Sequence, residues 1–332
     1  MHGEGRLDEA ATLFEQIAQF DPRSSAAWSN LGAIRFQQNR FAEAIELVRA
    51  LGDEWTLSHI LTWQGLGGFV AGDPDAVRVA AEEGCELADA IGNPFVARMC
   101  RFYLGWVRLW HGDLTGAIAQ FGQVATEAGA GADVVVKTIA LECQVQALAY
   151  HGDVGAALAV GHEALEAADQ AGGIYPGVAR CAFAYAALAS GDVAAAVAAS
   201  QAGWPGMSAQ PDVAATFMAP MVQAKLADGG VTAARRWADD AVDKTFGWHR
   251  MQALMTRARV ALAQRQFGQA ERDAHAALVC GVEVQALLGV PDVIDCLAMS
   301  ASESGRHREA VRLFGAAAAM RQRTGETRFQ IY

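Results

Sequence analysis

Apolar residues along the chain fall in helical stripes separated by a short turn that recurs. Between Phe95 and Gly131, Leu104, Val107 and Leu109 mark one predicted helix, with Gly105 at a close-packing point. A second stripe, Ala117, Ile118, Phe121 and Val124, follows the spacing of one helix face. Between the two, Gly112 ends the first helix in the left-handed geometry that glycine tolerates, and Asp113 caps the second. Gly129 and Gly131 then break the second helix before the next unit. The same Gly-Asp turn, with a small apolar residue five positions after the glycine, stands at Gly72-Asp73 with Val77, Gly152-Asp153 with Ala157, and Gly191-Asp192 with Ala196. The glycines of these four turns are 40, 40 and 39 residues apart. Looser copies follow at Gly229 with Ala234, Arg265 with Ala270 and Gly305 with Ala310.

Repetition at such a period decides the architecture before any single element does. Each period holds two helices around a turn, and stacked helix pairs bury a continuous apolar core. The expected fold is all-α: a right-handed α-solenoid of about eight helix pairs, one domain spanning residues 1–332. Composition agrees, since 52% of residues are hydrophobic, aromatics are 8% and proline is scarce at 8 residues. Alanine dominates the apolar fraction and favours helices that approach closely.

The first fifty residues keep a tighter period. Gly5, Leu7, Ala10 and Phe14 recur 34 residues later as Asn39, Phe41, Ala44 and Val48, with Pro22 and Trp28-x-x-Leu31-Gly32 between them. These residues resemble the tetratricopeptide pattern W-x-x-L-G … A-x-x-x-F … P. From residue 51 to 332 the units lengthen to 36–40 residues and keep only a skeleton, such as Leu104-Gly105 with Ala117 and Phe121. The chain opens at Gly5-Arg6-Leu7-Asp8-Glu9-Ala10, a turn and second helix without a first. It closes at Phe329-Gln330-Ile331-Tyr332 without a polar capping helix. Both ends therefore read as cut, the pattern of a segment of a longer protein or a truncated gene product.

A second resemblance is narrower. The stretch from Gly305 through Leu313-Phe314-Gly315 to Arg321-Gln322-Arg323-Thr324-Gly325, followed by Arg328-Phe329-Gln330-Ile331-Tyr332, resembles a recurrent segment of large bacterial LuxR-type regulators. Leu104-Gly105-Trp106 with His111 to Gly122, and Ala233 to Val242, resemble the same group. The resemblance runs from about residue 50 to the end. It implies a repeat region between a nucleotide-binding ATPase module and a terminal helix-turn-helix, with those neighbouring domains as partners in a full-length regulator. Neither module is in this sequence: no G-x-x-x-x-G-K-[ST] is present, and no helix-turn-helix follows residue 325.

Charge narrows the partners. The net charge is −11, from 37 acidic and 26 basic residues, and only Lys137, Lys225 and Lys244 are lysines. Without a cation cluster, direct nucleic-acid contact by this chain is not expected. Six widely spaced cysteines without a C-x-x-C read as reduced and buried, and no signal or membrane-spanning stretch stands out. The expectation is a cytoplasmic chain without membrane contact.

No catalytic constellation emerges, and neither a metal nor a cofactor is expected. His111 and His151 occupy equivalent turn positions, but helix pairs stand about 10 Å apart, too far for one ion. His162-Glu163 lacks the second histidine of H-E-x-x-H, and Gly65-Leu66-Gly67-Gly68 has Val70 where a third glycine belongs. Glu82-Glu83 and Asp239-Asp240 point in different directions on their helices and read as solvated.

The remaining candidate is a groove. In tetratricopeptide superhelices the first helix of each pair lines the concave side. Counting back from the turns puts Phe102, Trp106 and Trp110 in one inward row. Glu142, Gln146, Tyr150, Tyr185, Gln223 and Arg259 occupy the equivalent positions of later units. Phe102, Trp106, Trp110, Tyr150, Tyr185 and Arg259 are the expected binding residues for a protein or small-molecule effector. The competing reading makes the tryptophans filler between alanine-rich helices. For the whole chain, the sensor and coupling region of a LuxR-type regulator stands against a free-standing tetratricopeptide scaffold or adaptor.

Overall fold

The computed structural model describes residues 4–21, 24, 27, 30, 31, 34, 41–208 and 211–332. Among them it is all-helical, with no strand. Helices α1 (Glu4–Phe20) and α2 (Phe41–Leu51) come first. Helical hairpins follow: α3 (Glu54–Ala71) with α4 (Pro74–Ile91), α5 (Pro94–Trp110) with α6 (Leu114–Ala130), and α7 (Val134–His151) with α8 (Val154–Ala171). Next come α9 (Tyr175–Ser190) with α10 (Val193–Met207), then α11 (Pro211–Thr216) and α12 (Met218–Ala227) sharing α13 (Val231–Lys244). The last are α14 (Gly247–Ala263) with α15 (Phe267–Glu283), and α16 (Val290–Glu303) with α17 (His307–Thr324). The helices form two compact units, residues 1–69 with 75–104, and residues 70–74 with 105–332.

The recurring turn works as its residues dictate. Gly72, Gly112, Gly152, Gly191, Gly229 and Gly305 all have φ between +65° and +87°. Arg265 takes the same left-handed conformation, φ +58°, where the repeat elsewhere has glycine. The following aspartate then caps the next helix: an Oδ1 accepts from the amide of Gly116 (2.9 Å, Asp113), Ala156 (3.2 Å, Asp153) and Ala195 (2.9 Å, Asp192). One boundary departs from expectation. Gly129 stays inside α6, and Ala132, not a glycine, takes the left-handed position (φ +55°) before Asp133 caps α7. Gly5 likewise lies within α1, not in a turn.

The small residue five positions on is the packing point between the two helices. Val77, Ala117, Ala157, Ala196, Ala234, Ala270 and Ala310 are all buried. Gly105 is small for the same reason, since a Cβ there would sit 2.6 Å from the Phe121 ring. Replacing Ala117 with leucine therefore overpacks the α5–α6 hairpin and lowers stability by roughly 1–3 kcal/mol in urea titration. An unchanged midpoint would refute this register.

In the first unit, Ala11, Leu31 and Ile34 form a core against Ala10 and Phe14, while Ile45, Val48, Leu57, Ile60 and Leu61 form another. Pro22, Trp28, Gly32 and Asn39 of the 34-residue signature lie outside the described residues.

Turn glycines with similar φ differ in what surrounds them. At Gly72 an added Cβ would meet the Trp248 amide nitrogen at 2.6 Å and the Phe246 carbonyl at 2.7 Å, whereas at Gly229 nothing lies within 4 Å. Gly229→Ala therefore costs only the left-handed strain, roughly 1–2 kcal/mol. Gly72→Ala adds a backbone collision and costs at least about 2 kcal/mol more. Chemical denaturation of the two variants compares them directly.

Candidate binding groove

The inward row predicted from the turns is built by the C-terminal halves of the first helices. In the second unit, α5 contributes Trp106 and Trp110, α7 contributes Glu142, Gln146 and Tyr150, α9 contributes Tyr185, α12 contributes Gln223 and α14 contributes Arg259. Phe102 belongs to the first unit, where its ring meets Tyr103 at 5.4 Å. All of these side chains are buried; Trp110 is 0% exposed and Arg259 9%. The accessible groove expected from sequence is thus not open. Later parts of the same chain fill it.

The filling follows from helix geometry. The last carbonyls of an α-helix have no partner within the helix. Here later amides satisfy them, turn by turn. Trp248 N–H donates to Gly72 O (2.9 Å), and the amides of Leu287 and Leu288 donate to Trp110 O (2.8 and 3.0 Å). Thr327 N–H donates to Tyr150 O (2.6 Å). The Thr327 hydroxyl adds a bond to His151 O, 176 residues earlier in sequence (3.1 Å), and the other pairs keep close to that offset. Successive turns of the earlier repeats thus dock successive turns of the later ones.

Side chains complete two contact sites. In the first, Trp248 packs on Trp110 (ring centroids 5.6 Å) and Trp106 (6.3 Å), and His249 meets Trp110 edge-on at 5.8 Å and 88°. Trp248 Nε1 and Gln252 Nε2 both donate to Leu288 O. In the second, the irregular segment Glu326–Tyr332, which ends in a turn where the Tyr332 amide donates to Phe329 O (3.2 Å), lies over α7, α9 and α14. Phe329 packs on Tyr150 (5.1 Å) and Tyr185 (6.5 Å), and Arg259 lies 3.5 Å over the Tyr332 ring. Such aromatic and cation–π pairs each add about 0.5–1.5 kcal/mol beyond burial.

Around the segment lies a charged cluster. Arg259 pairs with Asp292 (2.9 Å), and Arg321 bridges Asp292 (2.6 Å) and Asp295 (2.8 Å). Arg328 stands 3.6 Å from Asp295. Glu326 accepts from the Gly289 amide (3.3 Å), and burial, then the charge of Asp292, pushes its carboxyl up to about 8. Burial also holds the Glu142 carboxyl well above the ordinary carboxylate range, and its Oε1 has no hydrogen-bond partner among the described residues. Glu326 is therefore mainly protonated at pH 7.

Other candidates fall away. The described cysteines are all free, and burial pushes the Cys100 and Cys181 thiols up to about 12, far from a reactive thiolate. Among the described residues, no group of three or more His, Cys, Asp or Glu is placed to hold a metal ion, and no helix is long and apolar enough to cross a membrane. Trp248, His249, Thr327, Phe329 and Tyr332 contact this row, and the sequence reading did not place them there. Their signal was faint: aromatic pairs at the start of α14 and in an irregular segment after α17.

Residues 1–54 match the tetratricopeptide repeat family. Over 292 residues the chain is 49% identical to proteins from Mycobacterium tuberculosis and Mycobacterium bovis that bear the provisional name HTH-type transcriptional regulator. That alignment covers 88% of this chain and 33% of each relative, so the chain spans about a third of the length of the curated relatives it matches. Among solved structures, a Rap protein complexed with competence and sporulation factor superposes with a TM-score of 0.67 over 96% of this chain and 94% of that one. The identity there is 11%, so the likeness concerns the fold alone. The chain is thus an all-α helical-repeat array whose first 54 residues match the tetratricopeptide repeat family and most of whose length is similar in sequence to about a third of these proteins.

Proposed function

We propose that the chain is the sensor and coupling region of a LuxR-type transcriptional regulator, a non-catalytic cytoplasmic module. It takes up a protein or peptide effector on the face of Tyr150, Tyr185 and Arg259. The observation that carries this reading is the way that face already holds the irregular segment Glu326–Tyr332: by a helix-end carbonyl, aromatic rings and a guanidinium. An effector with the same features competes with that segment. Displacing it changes how α14, α16 and α17 pack, and the change passes to ATPase and DNA-binding domains elsewhere in the full-length protein. The 49% identity to named regulators supports this over a free-standing adaptor. The likeness to Rap, solved with a bound factor, fits a repeat array that carries a ligand.

The test is made in the full-length regulator. Phe329→Ala, which loosens the segment and alters no helix residue, shifts promoter output in a reporter assay and leaves the operator affinity of the separate DNA-binding domain unchanged. Unaltered output would argue against the coupling role and leave the adaptor reading.

A further inference from the structure

In the second unit, α17 presents an outer ridge of arginines and very small residues. Arg308, Arg312, Gly315, Ala316, Ala319 and Arg323 succeed one another at helical spacing, and all are exposed. Elsewhere in this acidic chain, exposed guanidiniums such as those of Arg49, Arg78 and Arg108 find a carboxylate within 3.1 Å. Arg308, Arg312 and Arg323 have no ion-pair or hydrogen-bond partner among the described residues. Between them the helix is nearly bare, and a Cβ added at Gly315 meets nothing within 4 Å. A second helix laid over such a saddle approaches to the short end of the usual range of roughly 8–10 Å between axes. The guanidiniums beside it call for carboxylates.

The chain carries that complement itself, on α8. There the exposed ridge runs through Gly155, Ala159, His162, Glu166 and Asp169. Glu166 and Asp169 have no ion-pair or hydrogen-bond partner among the described residues, whereas neighbouring Glu163 is held by Lys137 (2.8 Å). A Cβ added at Gly155 meets nothing within 4 Å, and the His162 ring lies beside Phe183 (5.1 Å). The two ridges have nearly equal lengths, about 21–23 Å at the helical rise. Laid antiparallel with Glu166 on Arg312, they bring Asp169 beside Arg308, Ala159 onto Ala319 and Gly155 under the Arg323 stem. Opposite charges and small residues meet in that one register. The parallel arrangement leaves Arg308 and Arg312 facing Gly155 and Ala159.

We propose that a second copy of the chain docks its α8 antiparallel on α17, through Arg308–Asp169 and Arg312–Glu166 pairs beside a close contact of glycine and alanine. Two copies that exchange both contacts close as a two-fold dimer, and a one-way contact extends into an open array. Exposed ion pairs are individually weak and are screened by salt, so the association is reversible and strongest at low ionic strength. A phosphate backbone competes for the same guanidiniums, but the net charge of −11 and the bare saddle between them favour a helix. The inference concerns the chain itself and stands whether or not it serves a regulator.

Sedimentation velocity of the 332-residue chain over a concentration series tests it. The mean mass rises with concentration at about 50 mM NaCl, and the association weakens at least about fivefold at roughly 500 mM. Arg308→Glu with Arg312→Glu weakens it at least about tenfold, and Glu166→Arg with Asp169→Arg does the same. An equal mixture of these two variants associates again, because each then meets opposite charge on the other. All four positions are exposed, and circular dichroism checks that both variants are folded. If either is not, Arg312→Glu and Glu166→Arg alone replace them. A chain monomeric throughout the series, association indifferent to either reversal, or a mixture no more associated than its folded components would each overturn the proposal. Duplex DNA bound by the wild type and lost with Arg308 and Arg312, read by fluorescence anisotropy, would assign the ridge to phosphate instead.

Discussion

Trp110→Ala lowers the unfolding free energy of the second compact unit by about 3–5 kcal/mol, the upper range for a buried aromatic. The indole is fully buried at the end of α5, with Trp106, Trp248 and His249 as ring neighbours. Its removal leaves a cavity in the middle of that cluster, and the surrounding helices are held by their own turns and collapse only partly. It also loosens the docking of Leu287 and Leu288 on the Trp110 carbonyl. Urea unfolding followed by far-ultraviolet circular dichroism measures the loss. Trp63→Ala, at a position about half exposed, serves as the control and shifts stability by only about 0.5 kcal/mol. Equal effects of the two substitutions would mean that Trp110 is not an anchor.

The second large effect is a change in pH dependence at Glu326. Its ordinary value is 4.5, and in the folded chain burial and Asp292 push it up to about 8, opposed by the Gly289 amide, Arg321 and Arg259. The folded state thus holds this proton more tightly than the unfolded state does. Its contribution is fully present below about pH 4.5, is lost as pH rises toward about 8, and is constant above that. Glu326→Gln keeps an oxygen for the Gly289 amide and carries no charge. The variant matches the wild type near pH 4.5 and is the more stable of the two at pH 8, the gap widening between those values by at most about 1.4 kcal/mol per pH unit. Denaturation at both pH values checks the sign. A wild type that gains on the variant as pH rises would show that the carboxyl is ionised and paired.

What sequence revealed was what local rules determine. A glycine five residues before a buried alanine needs no tertiary knowledge, and Gly112, Asp113 and Ala117 behave as read. Arg265 shows the rule surviving loss of the glycine itself. The register counted from the turns also placed Trp110 and Tyr150 at equivalent helix ends, and both lend their carbonyls to later chain. What filled that row was not legible. Contact between His151 and Thr327 spans 176 residues and depends on small rotations summed over several repeats, which no window of sequence reports. Phe329 and Tyr332 read as the end of a pattern, although their rings lie against Tyr150 and over Arg259, respectively. The buried protonation of Glu326 was equally hidden, because it requires the segment to be docked.

The central claim is that the row of Tyr150, Tyr185 and Arg259 holds a non-helical peptide segment. Its most direct measurement supplies the peptide Glu326–Tyr332 in trans to the chain shortened after Gly325, with binding followed by fluorescence anisotropy of a labelled peptide. Saturable one-to-one binding is predicted, abolished when Phe329 in the peptide is alanine and when Tyr150 in the chain is alanine. Absence of binding to a folded shortened chain, or binding indifferent to both substitutions, would contradict it.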